Sequence, residues 1–424
     1  MFECELPFDH KTLHLELEDK NFAGVMEGHQ NEFKTTKSQE ELVEESLANP
    51  YGSPSLEELC AGKKDIVIIS SDHTRPVPSR VTMPILLHHI HSAAPEARVR
   101  ILVATGMHRP STHEELVNKY GEEIVANEEI VMHVATDDSM MKKIGTLPSG
   151  GECIINKIAA DCDLLLAEGF IEPHFFAGFS GSRKSVLPGI ASRKTVLYNH
   201  NAEFIASDRA RTGIVDGNPI HVDMLYAARA AHLAFICNVV INSDKEVIYA
   251  VSGDVDQAHI AGREFLSSKC KVDAVMSDIV ITTNGGYPLD QNIYQAVKGM
   301  TAAEATVKEG GVIIMLAKSN DGHGGEEFYK TFREEKDLKR MMATFMATPK
   351  DQTRVDQWQS QIFARLMMRA TVIYISDAPD AMVSDLHMIP AHSLEEAMKK
   401  AEEIVGNPNA SVCAIPDGVS VIVI

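Results

Sequence analysis

Seven short apolar blocks constrain the fold of this chain more than any other feature of its sequence. They read "DIVIIS" (65–70), "RILVAT" (100–105), "DLLLAEG" (163–169), "FICNVVI" (235–241), "DIVITT" (278–283), "GVIIMLA" (311–317) and "TVIYIS" (371–376). Most of the blocks are continuous rather than alternating, a pattern typical of strands that are buried on both faces of a parallel sheet. Helical patterns lie between the blocks, so the alternation predicts an α/β fold.

Two of the helical segments carry explicit start and stop signals. In "TAAEATVKEGG" we expect Thr301 to be the N-cap, Glu304 to close a capping box, and the glycine pair to end the helix. In "SLEEAMKKAEEIVG" the corresponding residues are Ser393 and Glu396, with Gly406 as the stop.

A length of 424 residues favours two domains rather than one. The segment 234–254 contains two apolar runs around "NSDKE", which predicts a hairpin at the edge of the first sheet. We therefore predict an N-terminal α/β domain at 1–270 and a C-terminal α/β domain at 271–424, both with largely parallel sheets. The last strand, at about 407–424, fits either sheet and can return to the N-terminal domain.

Charge and cysteine usage exclude several classes of protein. Lys plus Arg total 40 and Asp plus Glu total 60, so the net charge of −20 argues against general binding to nucleic acid or to anionic membranes. The seven cysteines form no C-x-x-C pair, which predicts a reduced, cytoplasmic protein. The first twenty residues lack the basic start and apolar run of a signal peptide.

Polar residues follow the predicted strands at the point where each strand ends. In open α/β sheets, ligands bind outside the carboxyl ends of the strands. We therefore expect a shared site in the cleft between the two domains. The strand-end residues that point to it are Asp72, His73, Arg75, His108, Arg109, His174 and His323.

The loop "EPHFFAGFSGSRKSVLPG" (172–189) combines glycines and serines with Arg183 and Lys184. A P-loop would need glycine where Arg183 stands, so this is not a nucleoside-triphosphate motif. The loop is either an anion-binding nest that leads into a helix or a flexible basic turn. Lys184 is also a candidate nucleophile, because Arg183 beside it disfavours a second positive charge.

Three histidines and one helix face are further candidates. His108 and His174 each follow a strand and are candidates for general acid/base catalysis. His200 lies sixteen residues beyond Lys184 and is a candidate metal ligand. For each of them the alternative is a structural role, which is more common for a lone histidine. If Asp290 caps a helix, one face presents a receptor for a small carboxylate or simply an exposed polar surface. The residues of that face are Tyr294, Gln295 and Lys298, and Trp358 is either core or pocket wall.

Five stretches of the sequence together resemble the lactate racemase family, the nickel-pincer-nucleotide-dependent racemases and epimerases of 2-hydroxy acids. They are "SSDHTRPVPS", "ATGMHRP", "EGFIEPHFFAGFSGSRKSVLPGI", "YNHN" and "YQAVK", in that order. The resemblance covers essentially the whole chain. It implies two α/β domains with the active site between them and a cofactor bound to the N-terminal domain.

The implied cofactor is a nickel-pincer nucleotide, a pyridinium-3-thioamide-5-thiocarboxylic acid mononucleotide that carries Ni(II). By this resemblance Lys184 anchors the cofactor through a thioamide, and His200 is the nickel ligand beside the sulfur and carbon atoms of the cofactor. Imidazole is a suitable ligand for nickel. Asp72 and Arg75 match cofactor-contacting positions.

The resemblance also implies the catalytic and substrate-binding residues. His108 and His174 match the two acid/base histidines. Substrate-binding positions are matched by Arg75, Tyr294, Gln295, Lys298 and Trp358.

The implied activity is that of an isomerase that interconverts D- and L-lactate by reversible hydride transfer to the cofactor, through pyruvate. The α-hydrogen of lactate is a very weak acid because the adjacent carboxylate is already anionic, so hydride removal is a better route than deprotonation. The alternatives are racemisation or epimerisation of another short 2-hydroxy acid such as malate, and a nucleotide- or metal-binding protein without turnover. The expected partners are the 2-hydroxy acid and, transiently, the enzymes that make the cofactor.

Overall fold

All seven apolar blocks form β-strands in the computed structural model, which describes residues 2–17 and 20–424. In chain order the strands are β1 (Phe2–Phe8), β2 (Lys11–Leu17), β3 (Phe22–Val25), β4 (Asp65–Ser71), β5 (Arg98–Ala104), β6 (Glu129–Met132), β7 (Met141–Thr146), β8 (Glu152–Asn156), β9 (Leu164–Phe170), β10 (Pro173–His174), β11 (Gly178–Phe179), β12 (Leu233–Ile241), β13 (Val247–Gly253), β14 (Lys271–Val272), β15 (Ser277–Thr283), β16 (Val307–Leu316), β17 (Thr371–Ile375), β18 (Ile389–Ala391), β19 (Val412–Ile415) and β20 (Ile422–Val423).

Helices separate most of the strands, which confirms the predicted α/β class. They are α1 (Gln39–Ala48), α2 (Leu56–Cys60), α3 (Ser79–Ala93), α4 (His113–Tyr120), α5 (Glu122–Asn127), α6 (Lys157–Asp161), α7 (Arg193–Asn199), α8 (Ala202–Ala206), α9 (Pro219–Ala230), α10 (Gln257–Cys270), α11 (Ile293–Glu304), α12 (Glu326–Glu334), α13 (Leu338–Ala347), α14 (Gln357–Arg369), α15 (Asp380–Asp385) and α16 (Leu394–Val405). In the described part of the chain, no helix is long and apolar enough to cross a membrane.

The chain divides into two compact units. The N-terminal unit comprises His29–His200 and Ser207–Lys269, and the C-terminal unit comprises Met1–Gly28, Asn201–Ala206 and Cys270–Ile424. The predicted division at residue 270 differs from these units in the first 28 residues and in Asn201–Ala206, both of which group with the C-terminal part of the chain. For the first 28 residues the physical reason is strand pairing, because β3 lies beside β19 and adds an edge strand to the C-terminal sheet.

The N-terminal unit contains a six-stranded sheet in the order β13-β12-β9-β4-β5-β6. All neighbouring strands are parallel except β12 and β13, which form the antiparallel hairpin predicted at the sheet edge. Ile66, Val67, Ile68 and Ile69 of β4 are all fully buried. Since successive side chains point to opposite faces, β4 is covered on both sides, as its continuous apolar sequence predicts.

The C-terminal unit contains a second six-stranded sheet, in the order β18-β17-β16-β15-β19-β3, and every recorded pair in it is parallel. The end of the chain stays in this unit. Strand β19 pairs with β15, and β20 pairs with β14 in a separate two-stranded sheet.

One of the two predicted helix starts is wrong. Thr301 lies inside α11 and its hydroxyl donates to the carbonyl of Lys298 at 2.6 Å. The N-cap is Asn292, whose side chain accepts from the backbone N–H of Gln295, and the segment after α11 is the strand β16. The second prediction is confirmed for the cap Ser393 and for Gly406, which ends α16 with a φ of 65°. Its capping box is wrong, because the Glu396 side chain accepts from the backbone N–H of His392 rather than from that of Ser393.

Candidate active site

The loops after β4, β5 and β9 leave the sheet of the N-terminal unit at one edge, because these parallel strands are neighbours. Asp72 and Arg75 follow β4, His108 follows β5, and His174 lies shortly after β9. This carboxyl edge is the usual ligand-binding edge of a parallel sheet. The structure therefore places these four residues on loops at the same edge.

Asp72 and His108 form a direct pair across two of these loops. Asp72 Oδ2 lies 2.7 Å from His108 Nδ1, and Asp72 is buried whereas 41% of the His108 side chain is exposed. Thr74 steadies the carboxylate by donating from its hydroxyl to Oδ1 at 2.6 Å. Donation from Nδ1 to the carboxylate fixes the tautomer of the ring and leaves Nε2 free to take a proton.

The charge state of Asp72 depends on this pair. Burial alone would raise the pKa of Asp72, but the hydrogen bond with His108 and the charges of His108 and Arg75 outweigh it. The pKa of Asp72 is therefore well below its ordinary value. A carboxylate that stays ionised can stabilise the imidazolium that forms when His108 accepts a proton.

Arg75 has donor atoms available next to this pair. Its recorded hydrogen bonds, to the Thr74 hydroxyl at 2.9 Å and to the Thr74 carbonyl at 3.4 Å, both start from Nη1. The guanidinium is half-buried, and it carries five N–H donors. Its remaining donors suit a phosphate or a carboxylate.

His174 and Lys184 form a second pair, within the glycine-rich loop. Lys184 Nζ lies 3.1 Å from His174 Nε2, and His174 Nδ1 accepts from the backbone N–H of Ala177 at 3.2 Å. The Lys184 amine and His174 Nε2 are therefore within hydrogen-bond distance, and the tautomer of the ring decides which of them donates. An imidazole beside the amine can act as the base that activates a lysine as a nucleophile.

His200 lies at the C-terminal end of α7 and is 4% exposed. Its ring packs edge-on against Phe176 at a centroid distance of 5.2 Å, and Phe176 also contacts the ring of His174 and lies 5.6 Å from Lys184 Nζ. Burial, and then the positive charge of Lys184, lower the pKa of His200 to about 3. The imidazole is neutral at pH 7, which is the form that binds a metal ion.

Arg183 does not join Lys184 in an anion-binding nest. Its side chain is fully buried and hydrogen bonds to backbone carbonyls and to two histidine rings. Because the short 3₁₀ turn Ser182–Ser185 points successive side chains in different directions, Arg183 enters the interior while Lys184 meets His174.

Two other strand-end residues are engaged away from the Asp72–His108 pair. Arg109 forms an exposed bidentate ion pair with Glu115, with contacts of 2.8 and 2.6 Å. His73 Nδ1 lies 2.9 Å from the Ser111 hydroxyl, and burial lowers the pKa of His73. Neither side chain contacts His108, so the strand-end rule selects more residues than the site uses.

Glu168 is a buried residue that the sequence analysis missed. It is 1% exposed and accepts hydrogen bonds from the hydroxyls of Ser70 and Ser79, each at 2.6 Å, and from Thr82. Ser70 lies next to the end of β4, and Ser79 and Thr82 lie in the first turn of α3, so Glu168 fixes both ends of the loop that carries Asp72 and Arg75. The available signal was an acidic residue that follows four apolar residues within the block "DLLLAEG".

The C-terminal unit presents the second group of predicted residues on α11. Tyr294, Gln295 and Lys298 all lie in its first two turns, and Tyr294 and Lys298 are four residues apart on one face. Asn292, rather than the expected Asp290, is the cap. The buried Oε1 atom of Gln295 has no hydrogen-bond partner in the described part of the chain, so this acceptor is available to a ligand.

Asp290 has a different role from the predicted cap. It is fully buried, and its Oδ2 accepts from the backbone N–H of Asp9 at 2.7 Å and of Lys318 at 3.3 Å. It therefore ties the loop before α11 to the loop after β16.

Trp358 lies in the first turn of α14 and is 8% exposed. The next residue, Gln359, donates from Nε2 to the backbone carbonyl of Tyr294, which links the starts of α14 and α11. The structure thus brings Trp358 and the α11 residues into one region of the C-terminal unit.

Comparison with known proteins identifies relatives over the full length of the chain. Residues 8–213 match the family model described as lactate racemase N-terminal domain, and residues 272–423 match the one described as lactate racemase C-terminal domain. A lactate racemase from Lactiplantibacillus plantarum is 58% identical over 424 residues, which cover 100% of both chains. A lactate racemase from Thermoanaerobacterium thermosaccharolyticum is 51% identical over 100% of this chain and 99% of its own.

Solved structures agree with these matches. The lactate racemase apoprotein from Thermoanaerobacterium thermosaccharolyticum superposes with a TM-score of 0.96 at 51% identity and covers 100% of both chains. A protein from Thermotoga maritima, solved in a structural genomics programme, superposes with a TM-score of 0.66 at 20% identity over 91% of this chain and 98% of its own. The second match supports the fold alone.

Proposed function

Because the chain belongs to the lactate racemase family, we propose that it is an isomerase that interconverts D- and L-lactate. The observation that carries the proposal is the loop chemistry of the N-terminal unit. There Asp72 holds one imidazole, His108, and the Lys184 amine contacts a second, His174. Racemisation requires a proton-transferring group for each orientation of the substrate hydroxyl, and two such groups are present.

The cofactor of this reaction would be a nickel-pincer nucleotide, anchored on Lys184 through a thioamide and with His200 as the nickel ligand. The residues fit such a group, because the Lys184 amine lies 3.1 Å from an imidazole nitrogen of His174 and His200 is a buried neutral imidazole. Imidazole nitrogen is a common ligand for nickel. When bound, the cofactor would accept the α-hydride of lactate and return it.

Around that group, Asp72 and Arg75 would contact the cofactor. The Nε and Nη2 donors of Arg75 carry none of its recorded hydrogen bonds, so they can bind the phosphate of a mononucleotide or the carboxylate of the substrate.

His108 and His174 would move the hydroxyl proton of the substrate. Donation from His108 Nδ1 to Asp72 leaves His108 Nε2 as the proton-accepting atom. For His174 the atom next to Lys184 is Nε2, so it is the atom nearest to the anchoring position. In each direction one histidine would take the hydroxyl proton from one enantiomer, and the other would donate a proton to form the opposite enantiomer.

The C-terminal unit would supply the remaining substrate-binding groups. Lys298 would pair with the carboxylate, the unsatisfied Oε1 of Gln295 would accept a hydrogen bond, and Tyr294 and Trp358 would limit the size of the substrate side chain. A methyl group suits this set, which favours lactate over malate.

The cellular setting is proposed on the same basis. The protein would act in the reducing cytoplasm and would meet the enzymes that make its cofactor only transiently. Its large negative charge gives no reason to expect nucleic acid or a membrane as a partner.

The test is to produce the chain together with the cofactor-making enzymes and to incubate it with D-lactate and, separately, with D-malate. Chiral chromatography should show conversion of lactate to equal amounts of both enantiomers and little conversion of malate. The matched control is Lys184→Ala, which should be inactive and should lack the covalent adduct in intact-mass spectrometry. Loaded protein that leaves lactate unchanged would contradict the proposed activity, and a Lys184→Ala protein with the full adduct would contradict the anchoring role.

A further inference from the structure

Arg183 is the largest fully buried side chain in the described part of the chain. No carboxylate lies within ion-pair distance of it among the described residues. Burial and the charge of Arg263 lower the pKa of Arg183 to about 9, and the charge of Asp256 offsets this only in part. Burying a charge without an oppositely charged partner costs free energy. The groups that hydrogen bond to the Arg183 guanidinium therefore indicate which part of the structure it holds in place.

Most of these groups are carbonyls of the loop that carries His174 and Lys184. Nη2 donates to the carbonyl of Ala177 at 2.9 Å, and Nη1 lies 3.3 Å from the carbonyls of both Ser180 and Gly181. All three carbonyls lie between the two residues of the His174–Lys184 pair. The guanidinium therefore fixes the path of the backbone from one member of the pair to the other.

Two neutral histidines complete the surroundings of the guanidinium. Nε donates to His221 Nδ1 at 3.0 Å, and Nη1 lies 3.0 Å from His259 Nε2, which is also 3.0 Å from the Ser180 carbonyl. Burial, and then the charge of Arg183, lower the pKa of His221 to about 3. His221 is therefore neutral at pH 7 and can accept the bond.

The loop is also constrained on its other side. Gly181 has a φ of 77°, and a Cβ atom there would lie 2.7 Å from Asn238 Oδ1. The same Asn238 Oδ1 accepts from the backbone N–H of Ser182 at 2.8 Å. The fold of the N-terminal unit therefore constrains this segment. Arg183 is the side chain that contacts the segment from the interior.

We propose that Arg183, supported by His221 and His259, is a positioning residue that holds the backbone between His174 and Lys184 in the shape that cofactor anchoring requires. The inference rests on the proposed function for the role of Lys184. It assigns Arg183 no contact with the cofactor or the substrate.

The experiment compares Arg183→Met with the parent and with Arg229→Met, a control that removes a half-exposed arginine from its ion pair with Asp254 in the same unit. The first measurement is hydrogen exchange of the protein made without its cofactor. The reporters are the backbone amides of Ser180, Lys184 and Leu187, which donate within this segment. In Arg183→Met their exchange should accelerate about tenfold or more, while the amides of β9 stay protected.

The second measurement is covalent loading by intact-mass spectrometry after production with the cofactor-making enzymes. Loading should fall at least about tenfold in Arg183→Met, in line with the loss of loop order, and should stay at the parent level in Arg229→Met. Unchanged exchange at the three reporters, or normal loading, would overturn the proposal. Loss of protection across β9 as well would show a general structural role and would also overturn it.

A second variant decides the case in which Arg183→Met does not fold. His221→Phe removes one acceptor and keeps a ring, so it should expose the same reporter amides and reduce loading to a smaller extent. A folded His221→Phe protein with parent-like exchange and loading would overturn the proposal. If the parent itself carries no adduct, the anchoring role of Lys184 fails, whereas the exchange measurement still decides whether Arg183 orders the loop.

Discussion

Replacing Asp72 with Asn tests whether a buried carboxylate holds His108 in its working tautomer. The parent contact joins Asp72 Oδ2 and His108 Nδ1 at 2.7 Å, and Asp72 is only 2% exposed, so water cannot replace the lost charge. A hydrogen bond to a charged group contributes roughly 1.5–3 kcal/mol. At about 1.4 kcal/mol per factor of ten, the rate should fall about ten- to a hundredfold.

A second effect of the substitution acts in the same direction. The side-chain amide that Asp72→Asn introduces can donate to His108 Nδ1, and a ring that accepts there carries its proton on Nε2. Nε2 would then no longer accept a proton from the substrate. If His108 acts as a base, the tenfold decrease in rate is therefore the smallest effect expected.

The assay is racemisation of lactate per covalently loaded molecule, with loading measured by intact mass. The control is Asp161→Asn, which removes an exposed carboxylate paired with Lys142, a kind of pair that contributes little. The control should keep parent activity. If loaded Asp72→Asn retains near-parent activity, Asp72 does not orient His108 for catalysis.

Three further predictions follow from the described residues. Lactate deuterated at Cα should keep its deuterium during racemisation in ordinary water, as measured by mass spectrometry, because a transferred hydride does not exchange with solvent; loss of the label would refute the hydride route. Lys298→Ala should lower kcat/KM for lactate about ten- to a hundredfold without loss of the covalent adduct. The control Lys308→Ala removes a lysine from an exposed pair with Asp278 and should leave kcat/KM unchanged. Release of the cofactor in Lys298→Ala would contradict a purely substrate-binding role. Burial lowers the pKa of His133 from its ordinary value of 6.5 to about 4. Between pH 6.5 and pH 4 the unfolded chain therefore binds a proton at His133 that the folded chain does not bind. The free energy of unfolding should accordingly fall as the pH drops through this range. His133→Gln, which cannot titrate, should show a smaller decrease in its urea midpoint over that range, and an equal decrease would contradict this assignment.

The strands and their carboxyl edges could be predicted because a strand that is buried on both faces has a continuous run of apolar residues. The four central residues of a block such as "DIVIIS" include no polar position that could face water, so the block fits an interior strand. Once the strands are fixed, the loops after them must share an edge. This is why Asp72 and His108 could be grouped from sequence although 36 residues separate them.

The helix start at Thr301 failed because a local signal was taken without its surroundings. Thr301 and Glu304 have capping-box spacing, but the helix had already begun after Asn292, and a threonine hydroxyl can bond to a carbonyl of the preceding turn. The residues that follow pair with β15 and are therefore held as strand β16. Tertiary pairing outweighs the local propensity here.

The direction of Arg183 could not be predicted, because adjacent residues in a tight turn can point to opposite sides and the sequence does not state which one is inside. The residues around the Arg183 guanidinium include His221 and His259, which are 38 and 76 residues away along the chain. Only the folded chain brings these side chains together. The adjacent basic residues suggested one anion-binding nest, whereas the structure gives the two side chains separate surroundings.

Two buried charged residues of opposite sign organise the loops of the candidate site. Glu168 joins the end of β4 to the start of α3 through three hydroxyls, and Arg183 gathers three carbonyls between His174 and Lys184. In the described part of the chain, neither forms a direct ion pair. Apolar residues of similar volume would often stabilise a core as well or better. A buried charge that is satisfied only by neutral hydrogen-bonding groups instead fixes the position of the loop, because each bond holds one donor or acceptor of the loop in place. Groups that must be held within a fraction of an ångström for catalysis benefit from such support.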